Sequence, residues 1–148
     1  MADTIIGRAA EQEILRRRIE SESSELIAIY GRRRVGKTFL VRQYFNDAFG
    51  FYSTGIYQGT KKEQLGAFNR QLEYYSGRKW KAAKDWFEAF AQLREYLESL
   101  GGDKPIVVFL DELPWMDTQK GRFIKAFEYF WNSWGAANDR LKLIVCGS

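Results

Sequence analysis

The chain has 148 residues, of which 45% are hydrophobic and only two are proline, which excludes a disordered chain and allows one domain with a sizeable core. A formal net charge of +4 suits phosphate-bearing ligands but does not establish nucleic-acid binding. The lack of histidine excludes histidine metal sites and triads, and the single cysteine, Cys146, excludes an internal disulfide and lies in an apolar run typical of a core.

Apolar periodicity predicts helices and strands that alternate along the chain. In chain order we expect a helix at residues 8–22, a strand at 26–30, a helix at 37–46, a strand at 49–56, helices at 61–76 and 85–100, a strand at 106–110, a helix at 121–134 and a strand at 141–146. In the first helix, Ile14, Leu15 and Ile19 are expected to face the core, and Asp85 and Glu88 resemble a capping box. Strands that are apolar on both faces favour a three-layer α/β/α sandwich with a mainly parallel sheet.

The segment GRRRVGKT lies between the strand expected at 26–30 and the helix expected at 37–46. It matches the pattern G-x-x-x-x-G-K-[ST] of a phosphate-binding P-loop in the required strand–helix context. Backbone N–H groups and the helix N-terminus would hold phosphate oxygens, while Lys37 would reach the β- and γ-phosphates and Thr38 would ligate magnesium. The residues expected to contact the nucleotide are Gly31, Arg32, Arg33, Arg34, Val35, Gly36, Lys37, Thr38 and Phe39. The three arginine side chains could point into solvent, or contact nucleotide or a neighbouring subunit.

The segment PIVVFLDELPWM places two acids at the end of an apolar strand. Asp111 would then stand beside the P-loop at the carboxyl edge of the sheet, where it would hold Mg²⁺ through the water shell of the ion. Glu112 could orient or deprotonate the attacking water. Acids also end strands without any chemical role, and it is the P-loop upstream that favours the catalytic interpretation.

Five segments of the chain, IIGRAAEQEIL, IAIYGRRRVGKTFLVRQYF, VVFLDELPWM, FEYFWNSWG and LIVCGS, together resemble the prokaryotic archaeal-type ATPases of the STAND branch near AAA+ proteins. The resemblance implies an ASCE-type P-loop NTPase core, in which the strand at 141–146 separates the P-loop strand from the Asp-Glu strand. It places Ser148 as a polar sensor near the γ-phosphate, and Thr54 is a candidate polar partner of Glu112. The adenine pocket would include Ile5, Ile6, Gly7 and Arg8.

Relatives of this kind continue with a fifth strand, a helical lid, a winged-helix domain and often a nuclease-like domain. By resemblance, residues 1–148 are therefore expected to form an incomplete, truncated P-loop ATPase core, the N-terminal portion of the ATPase domain. We expect the strand at 26–30 to be an exposed edge, and the chain alone to self-associate or to be poorly soluble. We also expect it to hydrolyse ATP far more slowly than the full protein.

These features predict Mg·ATP binding and hydrolysis that drives a conformational switch in a larger protein. Lys37 and Glu112 would be catalytic, Thr38 and Asp111 would be the metal ligands, and ATP and Mg²⁺ the cofactors. The lack of an Asn-Lys-x-Asp motif favours adenine over guanine. Two alternatives stay open: a regulatory module that binds nucleotide without appreciable turnover, and a P-loop phosphotransferase, which would need an acceptor-binding lid.

Expectations about partners and location follow from the same features. ATP and ADP are the predicted small-molecule partners, a homo-oligomer is possible, and DNA could bind through domains outside these residues. No apolar run long enough for a membrane span and no signal-peptide pattern are present, which predicts a cytoplasmic location and no membrane partner.

Overall fold

Four strands form one parallel sheet. The computed structural model describes residues 9–30 and 36–147. Its strands are β1 (Glu25–Tyr30), β2 (Phe51–Thr54), β3 (Ile106–Asp111) and β4 (Leu141–Gly147). Their order in the sheet is β1-β4-β3-β2, and every neighbouring pair is parallel. The expected order is confirmed, since β4 separates the strand that leads into the P-loop from the strand that ends in Asp111.

Helices connect the strands. Within the described ranges these are α1 (Ala9–Ile19), α2 (Lys37–Tyr44), α3 (Lys61–Ser76), α4 (Trp86–Glu98), the short α5 (Leu113–Met116) and α6 (Phe123–Ser133), with a 3₁₀ helix (Gly135–Ala137) after α6. Each predicted helix and strand is present, and the observed bounds differ from the predicted ones by a few residues at most.

The helices cover both faces of the sheet. On one face, Leu15 of α1 and Val41 of α2 belong to a core cluster with Phe109 of β3. On the other face, residues of α3, α4 and α6 form a larger cluster that includes Val108 and Leu110. Every residue of β3 and β4 is buried, as expected for parallel strands covered on two sides. The predicted three-layer α/β/α sandwich is confirmed.

Helix α1 corrects one prediction about the core. Leu15 is 2% exposed, whereas Ile14 is 48% exposed, so its assignment to the core was wrong. Consecutive helical residues point about 100° apart, and a peripheral helix that buries only Leu15 leaves its neighbour outside. The helix ends at Ile19, before the expected residue 22, and the turn that follows supplies the carbonyl oxygen of Ser21 to the buried Lys142 Nζ at 2.9 Å.

The start of α4 also differs in detail from its prediction. The Asp85 Oδ1 atom accepts a hydrogen bond from the Glu88 N–H at 2.9 Å, as a capping box requires. The Glu88 carboxylate, however, accepts from the Lys84 N–H at 3.0 Å and not from the N–H of Asp85. A complete capping box is found instead at α3, between Thr60 and Glu63.

Candidate nucleotide-binding site

The expected P-loop lies in the chain between the last residue of β1, Tyr30, and the first residue of α2, Lys37. Gly36 is the N-cap of α2, with φ 73° and ψ 32°, a left-handed conformation that favours glycine. It has no side chain to satisfy the N–H groups of the first helical turn, and no acid lies in that turn. The N-terminus of a helix, with the positive end of the helix dipole, favours an anion at this position.

A hydrogen bond joins the start of α2 to the end of β3. The Thr38 hydroxyl donates to Asp111 Oδ2 at 2.6 Å. The other oxygen of this carboxylate, Oδ1, accepts from the N–H of Glu112 at 2.9 Å. Asp111 is 4% exposed, so these contacts fix a buried carboxylate. The structure thus brings two of the predicted magnesium-site residues into direct contact.

Lys37 and the two acids lie near one thiol at the end of β4. Lys37 is buried, and so is Cys146, which confirms that the cysteine is a core residue. Burial raises the pKa of the Cys146 thiol, the negative charges of Asp111 and Glu112 also raise it, and the charge of Lys37 lowers it, so that the pKa is about 12. Lys37, Asp111 and Glu112 therefore all lie close enough to one thiol near the end of β4 to affect its pKa.

Glu112 lies in a tight turn between β3 and α5. Its backbone is left-handed, with φ 48° and ψ 47°, which is costly for a residue with a side chain. The Glu112 carbonyl accepts from the N–H of Trp115 at 3.0 Å, and Leu113 and Met116 anchor α5 in the core. The conformation of Glu112 is therefore imposed by its surroundings.

Phe39 lines a groove that begins at the N-terminus of α2. A groove of about 670 Å³ runs along α2 and is lined by Gly36, Thr38, Phe39 and residues of the last turn and beyond. Phe39 is 38% exposed. Its side chain is therefore accessible to a ligand at the N-terminus of α2, and its role in nucleotide binding stays a prediction.

Several predicted contacts are not placed by the structure. The Thr54 hydroxyl donates to the Gly55 carbonyl at 3.3 Å, and its pairing with Glu112 stays a prediction. Outside the described residues lie Ile5, Ile6, Gly7, Arg8, Gly31, Arg32, Arg33, Arg34, Val35 and Ser148. Their roles also stay predictions.

Two features that the described residues lack concern metals and membranes. In residues 9–30 and 36–147, no group of three or more His, Cys, Asp or Glu side chains is arranged to hold a metal ion. In that same part of the chain, no helix combines the length and apolar character needed to cross a membrane.

The fold and the site together define a class of protein. A parallel sheet of order β1-β4-β3-β2, in which the Gly-Lys-Thr start of α2 faces the acid at the end of β3, is a P-loop ATPase domain. Residues 6–148 match the family described as an ATPase domain predominantly from Archaea, and the chain belongs to that family.

Two individual proteins are similar in sequence to this chain. An uncharacterized protein of Methanocaldococcus jannaschii is 27% identical over 143 residues, which are 97% of this chain and 29% of that protein. An uncharacterized ATP-binding protein of the same organism is 40% identical over 42 residues, 28% of this chain and 71% of that protein. The chain thus spans less than a third of the first of these two relatives.

A solved structure shares the fold. The Walker-type ATPase of Pyrococcus abyssi superposes with a TM-score of 0.60 and 22% sequence identity, over 95% of this chain and 45% of its own. At this identity the likeness concerns the fold alone.

Proposed function

We propose that this domain binds Mg·ATP between β1 and α2 and hydrolyses it to ADP and phosphate. The observation that carries the proposal is the 2.6 Å hydrogen bond from Thr38 to Asp111, because it joins the P-loop helix to the acid of the neighbouring motif. Membership of an ATPase family supports the nucleotide, and the absence of a guanine-reading motif favours adenine.

The oxygen donors at this contact fit magnesium. Mg²⁺ binds hard oxygen ligands and usually keeps several waters, so that one or two protein ligands and the phosphates complete its shell. The Thr38 hydroxyl and the Asp111 carboxylate supply such a pair, and this explains why no larger acidic cluster is needed. When bound, the ion would neutralise charge on the phosphates.

The remaining roles follow from charge and position. The Lys37 ammonium would bind β- and γ-phosphate oxygens, beside the N–H groups that begin α2. Glu112 would orient a water and accept its proton as the new O–P bond forms and the bond from the γ-phosphorus to the bridging oxygen breaks. A left-handed glutamate held by tertiary contacts is consistent with a strained catalytic position.

In a larger protein, this reaction would toggle the arrangement of attached domains. We extend the proposal to residues 1–148 as an incomplete ATPase core of the STAND type near AAA+ proteins, in a cytoplasmic protein. DNA binding by attached domains belongs to the same proposal, because relatives are longer than this chain. A homo-oligomer stays a prediction.

The test is ATP binding and phosphate release by the wild-type chain and by Lys37→Ala. Loss of a charge-assisted contact should weaken ATP binding by roughly 10- to 100-fold, or about 1.5–3 kcal/mol, in titration calorimetry. Lys62→Ala, which removes an exposed lysine of α3, is the matched control and should bind as the wild type does.

Unchanged affinity of Lys37→Ala would contradict the nucleotide site. ATP binding without phosphate release would favour a regulatory module, and transfer of phosphate that requires an added acceptor would favour a phosphotransferase.

A further inference from the structure

The turn that carries Glu112 is confined between the ends of two strands. Gly55 directly follows β2 and Gly147 is the last residue of β4, and these two strands flank β3 on either side. Both glycines are buried, and neither has a positive φ. Their backbone conformation is therefore open to any residue, and the reason for glycine must be sought in the space around them.

Gly55 touches the backbone of the turn. A Cβ atom at this position would lie 2.5 Å from the carbonyl oxygen of Glu112 and 2.8 Å from the Cβ of Trp115. Gly55 cannot move away easily, because its N–H donates to the Asp111 carbonyl at 2.9 Å in continuation of the sheet. The turn cannot move away easily either, because Met116, the last residue of α5, is 1% exposed in the core.

Gly147 touches the same segment from the opposite strand. A Cβ atom here would lie 2.9 Å from both Cγ and Cδ of Pro114, and 3.3 Å from Cε1 of Tyr30. Gly147 is paired with Tyr30 in the ladder between β4 and β1. A shift of Gly147 would therefore move the strand that leads into the P-loop.

We propose that Gly55 and Gly147 are positioning residues that hold the Glu112 turn against the carboxyl edge of the sheet. A side chain at either position displaces the turn outward and moves Glu112 relative to Asp111. A displacement of about 1 Å at a reacting group can cost on the order of 10²-fold in rate. The catalytic consequence rests on the proposed hydrolysis, whereas the positional claim concerns only the turn.

Gly147 is close to a side chain, whereas Gly55 is close to the backbone, and this difference allows a test. The two nearest atoms to a Cβ at position 147 belong to the ring of Pro114, and Pro114→Ala removes both of them. The nearest atom at position 55 is a backbone oxygen, which no side-chain substitution removes. Pro114→Ala should therefore rescue Gly147→Ala and should not rescue Gly55→Ala.

The experiment compares Gly55→Ala, Gly147→Ala, Pro114→Ala and the two double variants that contain Pro114→Ala. Gly101→Ala is the matched control, because a Cβ there meets nothing within 4 Å. Single-turnover phosphate release should fall about 10²-fold in each of the first two variants, with ATP affinity unchanged. Release should return in Gly147→Ala/Pro114→Ala and stay low in Gly55→Ala/Pro114→Ala. Gly101→Ala should match the wild type.

A further comparison separates positioning from general structural damage. In a Glu112→Gln background, Gly147→Ala should cause no additional loss of phosphate release, because the residue it positions no longer acts as a base. An additive loss would overturn the proposal. So would a wild-type rate in Gly147→Ala, or a failure of Pro114→Ala to restore it.

Backbone NMR tests the position of the Glu112 turn without a measurement of phosphate release. The amide resonances of Glu112 and Trp115 should shift in Gly147→Ala and return in the double variant with Pro114→Ala. If the wild type releases no phosphate, the proposed function fails, and these resonances alone decide the positioning. Unshifted resonances in Gly147→Ala would overturn it. If thermal melts show that Gly55→Ala is unfolded, the comparison of Gly147→Ala with Gly147→Ala/Pro114→Ala alone tests the positioning.

Discussion

The carboxylate of Asp111 accepts one hydrogen bond on each oxygen, from the Thr38 hydroxyl and from the N–H of Glu112. At the scale of single residues, this side chain joins the start of α2 to the turn after β3. A buried carboxylate without such donors would be costly. Because of this geometry, we expect any magnesium dependence of nucleotide binding to require Asp111.

Asp111→Asn is expected to reduce the magnesium dependence of ATP binding. An amide is uncharged and offers a single oxygen, so it is a much poorer ligand for a hard divalent cation. Titration calorimetry with and without MgCl₂ measures the effect. Asp117→Asn, at an exposed acid just after α5, is the control and should keep the wild-type dependence. Equal magnesium dependence in the wild type and Asp111→Asn would refute the assignment.

Part of this residue-level picture could be predicted from the sequence. The positions of Lys37, Thr38 and Asp111 can be predicted from local patterns, because each pattern combines a strand and the turn after it with a particular type of side chain. Gly55 and Gly147 could not be found this way. Glycine is required at these positions because segments far apart in the chain approach each other there. A short sequence pattern contains no information about such contacts.

At the scale of helices and strands, the hydrophobic pattern predicts which helices and strands exist. It predicts less well where each of them ends and which of their side chains are exposed. All predicted helices and strands are present because their apolar stripes bury against the sheet. Ile14 was assigned to the core because it fits the periodicity, yet α1 buries only Leu15. The Thr60 cap of α3 was missed, although Thr60 and Glu63 have the spacing of a capping box.

Thr60→Ala should lower the free energy of unfolding by about 1 kcal/mol, as loss of an N-cap usually does. Its hydroxyl accepts from the Glu63 N–H at 3.1 Å, and the Glu63 carboxylate accepts from the Thr60 N–H at 2.8 Å. Urea denaturation measures the change. Ser23→Ala, which removes an exposed hydroxyl from a turn, is the control. If both variants lose the same stability, the cap makes no measurable contribution.

At the scale of the whole molecule, β1 is the edge of the sheet formed by the described residues, since β4 is its one neighbour there. Apolar grooves lie beside it on both faces of the sheet. A groove of about 380 Å³ lies towards α6, and another of about 290 Å³ lies towards α1 and α2. Tyr30 is 67% exposed and Ile124 is 39% exposed. An edge strand with apolar surface on both sides favours pairing with another chain.

The 148-residue chain is therefore expected to self-associate, and Ala28→Lys should reduce this. Ala28 is an exposed residue of β1, and a lysine on an edge strand opposes strand pairing. Light scattering measures the mass of each variant. Ala82→Lys adds the same charge at an exposed position outside the sheet and should not change the association. A monomeric wild-type chain, or equal effects of the two lysines, would argue against association through β1.

We expect this domain to hydrolyse ATP with Glu112 as the group that activates water. The most direct measurement is single-turnover phosphate release by the wild type and by Glu112→Gln, with ATP affinity measured on the same samples. We predict unchanged affinity and a loss of release of about 10²–10⁴-fold in Glu112→Gln, the usual contribution of a general base. Phosphate release by Glu112→Gln at the wild-type rate would show that Glu112 does not activate the water.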